Sequence, residues 1–311
     1  MIKLSFITDE AAQDPAACVA LAQALSLDAV ELRTVYDKHC MLLGAGERDR
    51  LRGQLRDAGL GVCCIDSPVF KCDLDAPLHT ELDKLARCAD IANYLGSPYV
   101  RIFSFWRTAL TPPMRDRIET ALRAAAACAQ AHGIVLLVEN GKRSNHATGV
   151  ELAALLDEMQ LPTLAALWDP ANSVYGATDP DPLAAGYRCL ARHIRHVHLK
   201  QVHAGAGGQL RYGAFAGGLL DFARLLRQLA RDGFDGYASV ETHWRAGAAW
   251  RAGGHFSEEQ LDYPGGAAFS RGGEEATAES LRALQDLMPA AGAEVEAEVE
   301  AEAEVEVDLA R

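Results

Sequence analysis

Glu139, Asp169, His198 and Glu241 each stand where an apolar run gives way to chemistry: the first in LLVEN, the second in ALWDPAN, the third in HVHLK and the fourth in ASVETH. Three carboxylates gathered at one point repel one another unless a cation joins them. With an imidazole beside them they form a donor set suited to one divalent ion, Mn2+, Mg2+, Co2+ or Zn2+. Taken singly, each has a plainer reading. A lone acid at a strand end usually caps a helix or sits in a loop, and Asp169 before Pro170 suits a cap. A lone histidine on an apolar strand is often a satisfied core residue. Four such positions at the ends of four consecutive runs favour the metal centre.

The elements that must position them are legible as a pattern. Short runs rich in Val, Ile and Leu occur at 2–7, 29–32, 61–65, 99–103, 134–138, 164–168, 194–199 and 237–240. Between them lie helix-like patterns at 15–27, 47–58, 80–95, 113–132, 149–159 and 219–232, with a closing one at 276–287. Gly59, Gly96, Gly133 and Gly233 follow helices, where a left-handed residue satisfies the last carbonyls. Strands alternating with helices imply βαβ units and a parallel sheet. Eight units predict an α/β fold, the (β/α)8 TIM barrel, which needs about 250 residues. An open doubly wound sheet usually has fewer strands, and FITDEAAQDP after the first run contains no glycine for a dinucleotide fingerprint. Barrel active sites lie at the carboxyl ends of the strands, where the four residues fall. A long loop at 243–273, holding Trp244, Trp250, Phe256, Tyr263 and Phe269, is read as functional.

Composition bounds the alternatives. The 311 residues are 49% hydrophobic and 23% charged, which excludes a mainly disordered chain, a collagen and a small disulfide scaffold. The net charge of −13 divides into −7 in the alternating Glu-Ala/Val stretch at 290–311 and −6 elsewhere. The expected organisation is a single barrel domain over 1–288 and a disordered acidic tail over 289–311. The acidic balance argues against a nucleic-acid partner. No run approaches the roughly 18 apolar residues of a membrane span, and MIKLSFITDE lacks the features of a signal peptide. The eight cysteines show no CxxC pair, so reduced, mostly buried thiols in a cytoplasmic protein are expected, with no membrane partner.

With these motifs in place, the chain resembles the sugar phosphate isomerase/epimerase family of the xylose isomerase-like TIM barrel superfamily. The residues that carry the resemblance are FITDE, VELR at 30–33, GSPYVRIF at 96–103, VEN at 138–140, DPAN at 169–172, HVHLK at 196–200 and VETH at 240–243. It covers about residues 1–288 and is specific at superfamily level. The resemblance implies one divalent metal held by Glu139, Asp169, His198 and Glu241, and proton transfer by Glu139 and Glu241 as catalytic residues. It also implies a small carbohydrate substrate and assembly as a homo-oligomer. The chain departs from related ketose epimerases in having Asn172 where they carry a histidine, and Gln201 where an acid commonly follows the HxK motif.

Around these, substrate contacts are expected from Lys200, Asn172, Glu31, Arg33, His243 and Trp106. Lys200 shares the inward face of its strand with His198, so it binds a substrate oxygen or pairs with a ligand carboxylate. Glu31 and Arg33 share one face of the second strand and contact substrate or each other. His196 is read as core. Phe103, Phe105 and Trp244 are further candidates for the pocket wall. No glycine-rich phosphate-cradling turn is present.

The expected function is that of a metal-dependent isomerase or epimerase of a sugar, keto-sugar or related polyol. A metal gripping a carbonyl and its neighbouring hydroxyl oxygen stabilises an enediolate, and a carboxylate removes the adjacent proton. A dehydratase of the inosose or dehydroshikimate type begins with the same step and is the alternative. An endonuclease IV-like activity needs more histidines and a less acidic surface. A non-catalytic sugar-binding barrel leaves the complete ligand set unexplained.

Overall fold

Eight parallel strands curl into a barrel in the computed structural model, which describes residues 1–177, 179, 181–247, 250 and 255–288. The strands are β1 Lys3–Phe6, β2 Ala29–Leu32, β3 Gly61–Asp66, β4 Tyr99–Ile102, β5 Val135–Glu139, β6 Leu164–Trp168, β7 Ile194–Leu199 and β8 Tyr237–Val240. Seven ladders run β1-β8-β7-β6-β5-β4-β3-β2, all parallel. The remaining seam, between β1 and β2, is joined by a single bridge from Ile7 to Glu31. The TIM barrel read from the alternating runs is therefore the fold observed. The acidic tail expected at 289–311 lies outside the described residues.

The surrounding helices are α1 Pro15–Ala24, α2 Ala45–Asp57, α3 Leu78–Leu95, α4 Pro112–His132, α5 Gly149–Met159, α6 Ala185–Leu190, α7 Phe222–Arg231 and α8 over 273–288. Side-chain caps set several starts. Asp221 accepts from Arg224 N, so α7 begins at Phe222 instead of the expected 219. Glu47 reaches back to Gly44 N at 2.9 Å, which places it within the first turn of α2 rather than at its start. At the C-termini of α3 and α4, Gly96 (φ 76°) and Gly133 (φ 67°) take the left-handed conformation. The loop after β8 holds two short helices, Glu258–Asp262 and Gly266–Ser270. Between β7 and α7, an antiparallel hairpin pairs Gln201–Ala204 with Leu210–Gly213; no periodicity in the sequence announced it.

Side chains alternate across each strand, and this alternation builds two layers. Leu136 and Val138 of β5 face the helices in the main core, whereas Leu137 joins Cys64, Ala165 and Leu167 in a small separate cluster inside the barrel. Two residues further on from Leu137 and Leu167 stand Glu139 and Asp169. The apolar plug thus ends where the charged layer begins. All eight cysteines are free thiols, and five of them are buried. No helix among the described residues is long and apolar enough to cross a membrane.

Candidate active site

Glu139 ends β5, Asp169 follows β6, His198 lies within β7 and Glu241 follows β8. Each has the inward parity of its strand, and one donor atom from each lies within 4.8 Å of the others. His198 Nδ1 is 3.9 Å from Glu139 Oε1 and 3.8 Å from Glu241 Oε2. These separations are too long for hydrogen bonds. They suit two donors about 2.0–2.2 Å from one ion at a wide angle. His198 Nδ1 is buried without a hydrogen-bond partner, as an atom awaiting a ligand would be. The residues therefore fit a divalent cation by number, chemistry and spacing. Asp169 reconciles both readings of its position: Oδ1 accepts from Asn172 N at 3.0 Å and caps the short helix Pro170–Ala177, while Oδ2 faces the cluster.

Neighbouring groups hold every one of these side chains. Glu31 on β2 receives His196 Nε2 at 2.8 Å and His198 Nε2 at 3.1 Å, one on each carboxylate oxygen. An ionised carboxylate only accepts, so His198 donates its Nε2 proton and presents Nδ1 to the cluster. His196, also bonded to Ser239 Oγ, is the core residue expected. Asn172 donates to Glu139 Oε1 at 2.8 Å, and Arg101 binds Glu139 Oε2. Arg33 Nη1 donates to Glu241 Oε1 at 2.8 Å, and Lys200 binds Glu241 Oε2 while pairing with Asp169 Oδ2 at 2.7 Å. Arg33 also meets Asp9, Glu10 and Asp66, so one guanidinium joins four carboxylates.

Burial and charge shift these groups in opposing directions. Burial pushes Asp169 up to about 6, against the pull of Lys200. Burial also opposes ionisation of Glu241, but His243, Lys200, His198 and Arg33 outweigh it and hold the carboxyl well below its usual range. Glu139 is lowered in the same way, chiefly by Arg101 and His198. For His198 burial disfavours the cation, yet Glu31, Glu139 and Glu241 lift the imidazole to about 10. A centre this rich in carboxylate attracts positive charge, whether proton or metal ion.

A pocket opens above the cluster. Of the residues expected from the sequence, Glu139, Glu241, Lys200, Asn172, His243 and Trp106 line it, and so does Phe103. Asp169 and His198 are fully buried beneath. Glu31 and Arg33 are not on its wall; they are spent on the two histidines and the four carboxylates. Phe105 stacks on Phe70 at 4.4 Å, and Trp244 donates to Ser280 on α8 at 3.2 Å. Sequence reasoning missed Arg101, Lys71, Lys142, Arg143 and Tyr212 on the wall. Strand parity could have found Arg101, a charge at the inward position of the apolar run YVRIF. Tyr212 arrives from the unannounced hairpin and Lys71 from a loop, so neither carried a signal.

Comparison with known proteins adds to this geometry. The family model described as "Xylose isomerase-like TIM barrel" matches residues 19–287. The chain is 31% identical over 207 residues to a 2-epi-5-epi-valiolone 7-phosphate 2-epimerase from Actinoplanes sp., spanning 66% of this chain and 74% of that protein. Among solved structures it resembles an L-ribulose 3-epimerase, with a TM-score of 0.70 and 18% identity over 95% of this chain and 97% of the other. A xylose isomerase-like TIM barrel protein from Mycobacterium smegmatis, solved in complex with magnesium, has a TM-score of 0.66 and 16% identity, covering 94% and 97%.

Proposed function

The chain belongs to the xylose isomerase-like TIM barrel family, and from that premise we propose that it is a divalent-metal-dependent isomerase or epimerase of a sugar, keto-sugar or related polyol. The observation that carries this reading is the placement of Glu139 and Glu241. They come from the ends of β5 and β8, flank Asp169 and His198 from the two outer strands of the four, and both line the pocket. One carboxylate takes the proton from the carbon beside a carbonyl, and the other returns one from the opposite side. Neither can rotate away, because Asn172 and Arg101 fix the first while Arg33 and Lys200 fix the second. Glu139, Asp169, His198 and Glu241 would hold the ion, which when bound supplies Lewis-acid polarisation of a carbonyl oxygen. The Actinoplanes relative, named as a 2-epimerase, supports the same class. A small carbohydrate ligand, a cytoplasmic location and a homo-oligomer complete the reading, the last measurable by light scattering.

One observation favours a dehydratase as the second reading. His243 lines the pocket with Nδ1 bonded to Glu10 Oε1 at 2.6 Å and Nε2 3.6 Å from Glu241 Oε1, so in its imidazolium form Nε2 would carry the proton for a departing hydroxyl. The experiment is a panel of ketoses, keto-acids, inososes and 3-keto-glycosides, incubated with manganese-loaded protein in deuterated water. Solvent deuterium should enter one ketone beside its carbonyl, and Glu139→Gln should abolish the uptake with the fold retained. Loss of 18 mass units from the product selects the dehydratase. No uptake on any ketone rejects the proposal.

A further inference from the structure

Lys71 sits in the connection between β3 and α3, a segment pinned on both sides of it. Lys71 N donates to Pro68 O at 3.0 Å, Phe103 N to Val69 O at 3.0 Å, Phe105 N to Phe70 O at 3.0 Å and Trp106 N to Cys72 O at 2.8 Å. The preceding Phe70 adopts φ 60°, a conformation unfavourable for a side chain of that size. It is held there by Glu81, which accepts from its N–H at 2.8 Å, and by the stack on Phe105. Such strain persists only where the surroundings over-determine it, and it marks segments that must present one side chain in one place. The side chain presented is Lys71, whose ammonium lies 5.3 Å from the Phe103 ring centre and lines the pocket.

Its charge is unlike that of the other pocket cations. Arg101 is paired with Asp66 and Glu139, and Lys200 with Asp169 and Glu241. Lys142 meets Glu258 at 2.7 Å, and Arg143 binds Asp262. Among the described residues Lys71 has no carboxylate and no hydrogen-bond partner for its ammonium. The wall as a whole carries five Lys and Arg side chains against Glu139, Glu241 and Asp262, in a chain whose net charge is −13. Four of these five cations are already met by carboxylates on or behind the wall, so the charge left for an incoming anion is that of Lys71. Lys71 is half-buried, and this partial burial, aided by Arg101, lowers its ammonium to about 8, so an anion beside it would offset part of the cost of holding the charge there.

We propose that Lys71 anchors an anionic substituent, a phosphate monoester or a carboxylate, of the substrate that reacts at Glu139 and Glu241. This deepens the proposed function and rests on it for the identity of the reacting centre. A neutral hydroxyl would accept a hydrogen bond from the ammonium yet leave its charge uncompensated, whereas an anion accepts the same bond and neutralises the charge.

The test is calorimetric titration of manganese-loaded protein with D-fructose, D-fructose 6-phosphate and D-fructuronate, and with inorganic phosphate and acetate as fragments. Wild type should bind one anionic member of the set at least tenfold more tightly than its neutral counterpart or, for a fragment, with saturable affinity. Lys71→Met should remove that preference, and Lys71→Arg should restore most of it. Preference for the phosphate pair or for the carboxylate pair identifies the substituent. Absence of Lys71-dependent binding for every anion, in variants whose circular dichroism is native, overturns the proposal. Deuterium uptake is read in parallel and separates the two ideas. Uptake without anion preference leaves the isomerase standing and removes the anion site; Lys71-dependent binding without uptake on any ketone does the reverse.

Discussion

Asn140 clasps the peptide of Asp169 with both ends of its side-chain amide: Oδ1 accepts from Asp169 N at 2.7 Å, and Nδ2 donates to Asp169 O at 2.7 Å. The same Nδ2 reaches Ala147 O at 3.1 Å and Ser173 Oγ at 3.2 Å. The clasp acts as one more ladder rung beyond the ends of β5 and β6, and sets the spacing between Glu139 and Asp169. Asn140→Ala would leave the buried N–H and C=O of Asp169 unpaired, at a cost of about 2–4 kcal/mol. Urea unfolding should show that loss, and a metal titration should show weaker binding. A variant of native stability and affinity would remove Asn140 from this role.

Glu31 fixes two imidazoles with its two oxygens. Glu31→Gln keeps the shape but presents an amide donor to one of them, so the orientation of His198 is no longer enforced. Partners of this kind are worth about 10–100-fold in metal affinity. The expected outcome is a weakening in that range by calorimetry, with a native circular dichroism spectrum.

Protons and metal compete for His198 Nδ1. The surrounding carboxylates raise the imidazole to about 10, so at neutral pH a proton must leave when a cation arrives. Manganese affinity should therefore rise with pH between 6 and 9, by about tenfold per unit at most. Calorimetry in buffers of different ionisation heat should detect released protons. A pH-independent affinity would contradict this assignment.

Arg33 is buried among four carboxylates. Breaking a buried network by removing one member typically costs about 3–5 kcal/mol. Arg33→Met should lose stability of that order, and Arg33→Lys should recover little, because one ammonium cannot reproduce the fork that reaches Asp9, Glu10 and Glu241 together. Thermal unfolding of the metal-free proteins measures both.

Lys71 should cost stability. Its ammonium falls from 10.5 to about 8 on folding, so the unfolded chain holds the proton more tightly. The destabilisation is fully present below pH 8 and is relieved as pH rises towards 10.5. Lys71→Met should accordingly melt higher than wild type at pH 7, and the difference should shrink at pH 9–10. A lower melting temperature at pH 7 would show that the lysine is stabilising.

The sequence by itself determined the barrel and its charged end. Eight apolar runs alternating with helical patterns leave few topologies, and the residue that ends each run inherits the inward parity of its strand. That local rule placed Glu139, Asp169, His198 and Glu241 on the same side of the fold, and Lys200 beside them. It could not say which partner each inward charge would meet, because partners come from strands far apart in the chain. Glu31 and Arg33 share a strand face with potential access to substrate, yet the curvature of the barrel brings His196, His198 and four carboxylates to them first. Loop geometry was equally hidden. Lys71 and Tyr212 reach the pocket through backbone turns and a hairpin fixed by hydrogen bonds to distant residues, and no periodicity encodes those contacts. Tertiary structure alone decided which charges neutralise one another and which one among the described residues, Lys71, is left facing the pocket.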